Sequence, residues 1–348
     1  MPNRRSEESH RKILRAKHVL FLLVVLLPFI LVEMLARMLF TQPTLLDIPS
    51  QNLRLIYELN PLYPEINSLG MRQEELDPST LHDHFVIAVI GDSHTYSSRS
   101  AKREDSFPAR LEHHLKTLTG KNIKVLNFGV PGYNMAQELE VLRVKALPFK
   151  PDLVILQYCI NDEHISDYIQ PKYGWLNRTI HQSVFLTRAW KELLYSRFGQ
   201  KNVYFYVERY LPDLLLYSRG LVGTPRPQEE DPAHAPHPPR SRDQVPARYH
   251  DFIGRENLER DVRVFGELCK KAGISVLATG FIEDQDKNLY EASGFQVHSF
   301  FKIFHQLDMR DYGYDPVFTD GHFLESGSDL IGKALADFVS ANFLSKLT

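Results

Sequence analysis

Four short apolar runs, Phe85–Ile90, Ile123–Phe128, Leu153–Tyr158 and Ile274–Thr279, constrain this chain more than any other feature. Each has the length of a strand and is rich in Val and Ile. The sequence between them is helical in pattern over Phe107 to Leu118, Ala136 to Leu147 and Asn257 to Lys271. In the last of these, Leu258, Val262, Phe265, Leu268 and Cys269 share one face. Strands alternating with helices predict a parallel sheet covered by helices on both sides.

This block starts late in the 348 residues. Residues 1–17 are a basic leader carrying Arg4, Arg5, Arg11, Lys12, Arg15 and Lys17. Residues 18–40 are apolar. Val19 to Val32 holds no charge but falls short of the ~20 residues that cross a bilayer; extension to Phe40 reaches that length. Glu33 and Arg37 then stand at i, i+4 and can pair near the outer interface. No small-residue cleavage site ends the run, and no cysteine follows it for a lipid anchor. Residues 18–40 therefore read as an uncleaved signal anchor. The positive-inside rule puts residues 1–17 in the cytoplasm and the rest on the periplasmic or extracellular side.

Residues 41–80, punctuated by Pro and Asn, are expected to pack as a juxtamembrane segment onto the main domain, residues 81–348. Within that domain, residues of about 170–250 break the strand–helix rhythm and read as an insertion. Its Pro- and His-rich part, about 223–247, has too few apolar residues to pack as regular structure. His234 and His237 there read as loop residues rather than metal ligands. Near the end, Leu330, Ile331, Ala334, Leu335, Phe338 and Val339 follow helical spacing. Asp320 and His322 then lie in a loop just before a C-terminal helix.

Composition removes several classes of function. A formal net charge of -2 and a pI near 6.7 leave no basic field for nucleic acid. The two cysteines, Cys159 and Cys269, exclude a disulfide framework or a Cys-rich zinc site, and both sit in segments that read as core.

In parallel α/β sheets, sites form beyond the carboxyl ends of the strands. The first run ends at Gly91-Asp92-Ser93-His94, the second in "NFGVPGYN" (Asn127 to Asn134), and the third in "YCINDE", with Asn161 and Asp162. The C-terminal loop adds Asp320 and His322. These residue types suit acyl transfer. A serine needs a base to take its proton, and histidine is the usual one. A carboxylate beside the imidazole fixes its tautomer. A glycine N–H and an asparagine amide can meet the oxyanion of a tetrahedral intermediate.

Together these blocks resemble the SGNH (GDSL) hydrolases over roughly residues 84–162 and 272–348. The resemblance implies a three-layer α/β/α sandwich of the flavodoxin-like kind with a parallel five-strand sheet. It implies Ser93 as nucleophile, His322 as base and Asp320 as its partner. The Ser93 N–H, the Gly132 N–H and the Asn161 side chain would form the oxyanion hole. It implies no metal and no organic cofactor. The chain departs from the family pattern in two places. His94 stands where Leu is common, and Asp320 precedes His322 by two residues instead of three; some members work with a Ser-His dyad. As bland alternatives, Ser93 can be a helix N-cap, Gly132 a type II turn glycine and Asn161 a turn residue.

The expectation is a membrane-anchored serine esterase whose substrate is an acylated small molecule or glycan. A short O-acyl group on a carbohydrate or envelope polymer follows from the anchor. Two alternatives use the same fold: an O-acyltransferase that passes the acyl group to a sugar hydroxyl, and a catalytically inactive binding protein.

Overall fold

The computed structural model describes residues 46–165, 247–304 and 322–344, with part of a helical stretch near the N-terminus. By internal contacts the chain divides into two units. One comprises Met1–Thr44 with Gln170–Gln228, and the other Leu45–Ile169 with Glu229–Thr348. In the first unit, residues 26–35 are helical and their apolar side chains are exposed, Phe29 by 62% and Leu31 by 57%. Among the described residues, no helix is long and apolar enough to cross a membrane. The Pro- and His-rich segment of about 223–246, with His234 and His237, lies outside the described residues, as does Asp320.

The second unit is built on a parallel sheet of five strands. They are β3 (Phe85–Gly91), β4 (Ile123–Gly129), β5 (Leu153–Tyr158), β6 (Ser275–Gly280) and β7 (Gln296–Ser299), in the order β4-β3-β5-β6-β7. A small antiparallel pair, β1 (Asp47–Pro49) and β2 (Tyr57–Leu59), precedes it. The helices are α1 (Ser93–Tyr96), α2 (Phe107–Thr119), α3 (Met135–Val141), α4 (Arg255–Ala272), α5 (Asp284–Ala292), α6 (Phe300–Phe304) and α7 (Glu325–Val339).

Register explains the two-sided burial. Ile87 of β3 lies beside Val125 of β4 and Leu153 of β5. Ile87, Val89, Val125, Leu153 and Ile155 join Phe107, Leu111 and Leu115 of α2 and Ile331, Leu335 and Val339 of α7 in one core. The alternate residues Val86, Ala88, Ile90, Val154 and Leu156 are equally buried. Their side chains emerge on the opposite face of the pleat. Strand β3 is therefore apolar throughout, and β5 is apolar up to Gln157.

Local signals set the helix ends. Ser106 caps α2 by accepting from the Ala109 N–H at 3.4 Å, Pro108 opens it, and Gly120 closes it in the left-handed region at φ 64°. Helix α3 opens on a capping box between Asn134 and Gln137. It then passes into a π-helical turn over Leu142–Ala146, so the single helix expected to Leu147 is interrupted. The β7 strand, with the sequence QVHS, has no apolar run, and periodicity alone does not mark it. Residues 247–250, at the end of the expected insertion, belong to a 3-10 turn over Ala247–Phe252 with Tyr249 and Phe252 buried. Cys159 and Cys269 are free thiols.

Gly129 ends β4 directly under α1. A Cβ placed there would meet the Thr95 carbonyl carbon at 2.6 Å and the Thr95 Cβ at 2.8 Å, as well as the Tyr96 backbone nitrogen. The obstacle is mostly backbone and cannot rotate away. Gly129→Ala is expected to cost about 1–3 kcal/mol, the usual toll of overpacking, in a chemical denaturation experiment on the full chain. It should also displace α1 and lower esterase activity measured on the folded fraction.

Candidate active site

Strand β3 gives way to α1 within one residue, and Asp92 makes the transition. Its side chain accepts from the His94 N–H at 2.9 Å, which caps the helix. Asp92, and not Ser93, is therefore the N-cap. Ser93 is the first helical residue, and its hydroxyl stays half-exposed at the carboxyl edge of the sheet. The Ser93 Oγ donates to Asp92 Oδ2 at 3.3 Å.

The turn after β4 stands beside it. The Tyr133 N–H donates to Val130 O at 3.1 Å, and Gly132 sits between them at φ 79°, as a type II turn requires of its third residue. The Val130 N–H donates to Gly91 O at 3.1 Å, tying this turn to the end of β3. Asn161 lies in the 3-10 turn Ile160–Glu163 after β5. One hydrogen of its amide goes to Tyr133 O at 3.0 Å. A primary amide has two hydrogens, so the second is available to a ligand. Asn134 links the same two edges, donating to His164 O at 2.9 Å and to Phe252 O at 3.1 Å.

His322 comes from the three-residue segment before α7. Its ring centroid lies 5.1 Å from that of His94, the residue after Ser93. Four sequence-distant residues, Ser93, Gly132, Asn161 and His322, thus reach one sheet edge. β3 is flanked by β4 on one side and β5 on the other, so the site occupies the switch point of the sheet.

Several groups that hold this edge carry no motif. Arg72, only 3% exposed, donates to Tyr96 O at 2.6 Å, Ser97 O at 2.7 Å and Ser100 O at 2.7 Å, and its guanidinium lies 4.5 Å over the Tyr96 ring. It neutralises the carbonyl end of α1. Tyr57 donates to Pro131 O at 2.8 Å, and Tyr133 donates to Tyr57 O, so β2 grips the Gly132 turn. Asn127 of β4 donates to Thr95 O at 3.2 Å. Only tertiary packing reveals these roles.

Behind the site lies an acidic cluster. Asp92, Glu138 and Asp162 are almost wholly buried. Neither oxygen of Glu138 has a hydrogen-bond partner among the described residues, and the Tyr290 hydroxyl is in the same condition. Asp162 accepts from the Cys159 N–H at 3.2 Å. Burial pushes the Glu138 carboxyl well up, and the charges of Asp162 and Asp92 push it further. Asp162 is raised by burial and by Asp92. Burial, then the same two aspartates, raises the Cys159 thiol, so it is no competing nucleophile.

The GDSL-like lipase/acylhydrolase family matches residues 89–299. The chain belongs to that family. Its reaction class is the hydrolysis of ester bonds. Similar solved structures include the lipase/acylhydrolase from Enterococcus faecalis, at 12% identity over 74% of this chain and 95% of that one, with a TM-score of 0.41. A two-domain esterase active on acetylated mannans is 12% identical over 74% of this chain and 49% of its own, with a TM-score of 0.41. A catalytic mutant of an acetylxylan esterase from Geobacillus stearothermophilus is 12% identical over 74% and 94%, with a TM-score of 0.38. Among curated proteins, none matches the chain.

The acidic cluster yields a pH prediction. A carboxyl whose folded pKa lies above its ordinary value of 4.5 holds a proton that the unfolded chain gives up. Stability from Glu138 is therefore complete below the ordinary value and is lost as the pH rises through the folded one. Unfolding free energy of the wild-type chain should fall as the pH is raised from that ordinary value through neutrality into the alkaline range. The neutral isostere Glu138→Gln should flatten that slope and be at least as stable as wild type at the upper end. Urea titrations across the range check this; a slope equal to wild type would refute it.

Proposed function

We propose that this chain is a membrane-anchored serine esterase that removes a short O-acyl group from a carbohydrate or envelope polymer through an acyl-Ser93 intermediate. The observation that carries the reading is the convergence at one sheet edge of a half-exposed Ser93, the positive-φ turn at Gly132, the Asn161 amide and the His322 ring. Family membership supports an ester substrate and weighs against an inactive binding protein.

Ser93 Oγ attacks the ester carbonyl as His322 takes its proton. The carbonyl oxygen becomes an oxyanion that meets the Ser93 and Gly132 N–H groups and the second hydrogen of the Asn161 amide. The intermediate collapses to acyl-Ser93, and the imidazolium returns its proton to the leaving sugar hydroxyl. Water then attacks the acyl carbon with His322 as base, releasing the carboxylic acid and restoring the serine. Asp320 is assigned as the partner that steadies the imidazolium. Arg72 and Asp92 hold α1 in place throughout.

The apolar, charge-free run from Val19 to Val32 supports the anchor, as do the exposed apolar side chains of residues 26–35. The basic leader supports a cytoplasmic N-terminus. The catalytic unit then works outside the cytoplasm, where envelope glycans are its accessible esters.

The test is hydrolysis of p-nitrophenyl acetate by the full chain in detergent, beside Ser93→Ala, His322→Ala and Asn161→Ala. The first two variants should lose essentially all activity. Asn161→Ala should lose kcat by about 10²–10³-fold, the usual value of an oxyanion donor. Wild-type rates in a folded Ser93→Ala variant would end this reading. Extraction of the chain from membranes by detergent but not by alkaline carbonate tests the anchor separately.

A further inference from the structure

We propose that His94 is a positioning residue for His322, its ring serving as the surface against which the base is aligned with Ser93. The inference rests on the reading of Ser93 and His322 given above. It starts from a difficulty: among the described residues, His322 lies with Phe323 and Leu324 in an irregular stretch just before α7, outside any helix or strand. A base carried on such a segment has to be held by packing on both sides if it is to stay within catalytic reach.

One side is plain. Phe323, 4% exposed, is driven into an aromatic core, stacked on Phe304 with centroids 5.3 Å apart and planes 8° apart, and on Phe281 at 5.9 Å. That anchors the backbone of the segment; the orientation of the His322 ring is set by what its side chain meets. The other side is His94. Its ring lies 5.1 Å from the His322 ring with planes 33° apart. The ring of His94 is itself walled by Phe323 at 5.5 Å and Phe281 at 6.5 Å. Its backbone is fixed by the Asp92 cap that also sets Ser93. Nucleophile and supporting ring are thus consecutive residues on one capped helical turn. Any movement of α1 carries both together, and the base follows.

The role is one of alignment, so a flat ring should suffice and the nitrogens of His94 should be dispensable. The experiment compares His94→Phe, His94→Leu and His94→Ala in the full chain. Two readouts are used: steady-state hydrolysis of p-nitrophenyl acetate, and the rate at which a fluorophosphonate labels Ser93. Labelling needs the Ser93–His322 pair but no particular natural substrate. The Leu and Ala variants are expected to lose at least tenfold in kcat and in labelling rate, with KM within about twofold of wild type, since a small misplacement of a catalytic group is costly. The Phe variant is expected to retain both rates within about threefold. Leu and Phe are close enough in bulk that their comparison stands even if the Ala variant fails to fold, and thermal melts check that both are folded.

Three results would overturn the proposal. Wild-type rates in the Leu variant would show that no flat ring is needed. A Phe variant as inactive as His322→Ala would show that His94 acts through its nitrogens. Equal loss of kcat and rise of KM in Leu and Phe would show a site reshaped in general. Absence of labelling in the wild-type chain would instead remove the Ser93 mechanism itself, and this inference with it.

Discussion

The structure depends on the sharp exchange of strand for helix at Gly91-Asp92-Ser93. A helix of four residues such as α1 has no stability of its own, because nucleation costs more than one turn of hydrogen bonds returns. It persists because both of its ends are occupied. Asp92 satisfies the first amides, and the buried Arg72 takes the carbonyls of Tyr96 and Ser97 at the other end. Between them, Gly129 lets β4 pass close beneath. A turn held at both ends suits the role proposed for Ser93, a nucleophile aimed along one direction.

The segment that contains Arg72 lies between the proposed anchor and the first core strand, and its placement is consequential. β2 grips the Gly132 turn through Tyr57 and Tyr133, Gln137 donates to Leu55 O at 2.9 Å, and Arg72 closes α1. Two of the four site elements are therefore held by residues 55–73, outside the five-stranded sheet. The extra piece acts as a brace across the carboxyl edge of the sheet, where loops alone would leave the site loose.

Much of this was legible in the sequence, and the reasons differ by residue. Strands β3, β4, β5 and β6 announce themselves because burial on both faces favours short runs in which apolar residues predominate. Helix α2 is marked by Ser106, Pro108 and Gly120, each of which has a local physical role. Ser93, Gly132 and Asn161 could be singled out because sites in such sheets gather where strands end. Strand β7 escaped, since it is only four residues long and, with Gln296 and His298 in it, offers no apolar run. Arg72, Glu138 and the orienting contact of His94 escaped for a deeper reason. Their roles arise from neighbours far away in the chain, and nothing in their immediate sequence differs from that of a surface arginine, a helical glutamate or a chance histidine.

The buried carboxyls fit the same logic. Asp92 has to stay at the mouth of the helix because it caps α1 and receives the Ser93 hydroxyl. A carboxylate there raises the cost of any further negative charge nearby, including the oxyanion that the reaction must form. Burial and the charge of Asp92 favour the protonated forms of Glu138 and Asp162. A proton on either one lowers the negative charge behind the site while the side chain still fills the space between α3 and the Asn161 turn. On this argument the cluster serves electrostatics as well as packing. An apolar side chain would fill the space equally well, whereas an acid or its amide adds polarity there without adding a charge beside the oxyanion of the proposed reaction.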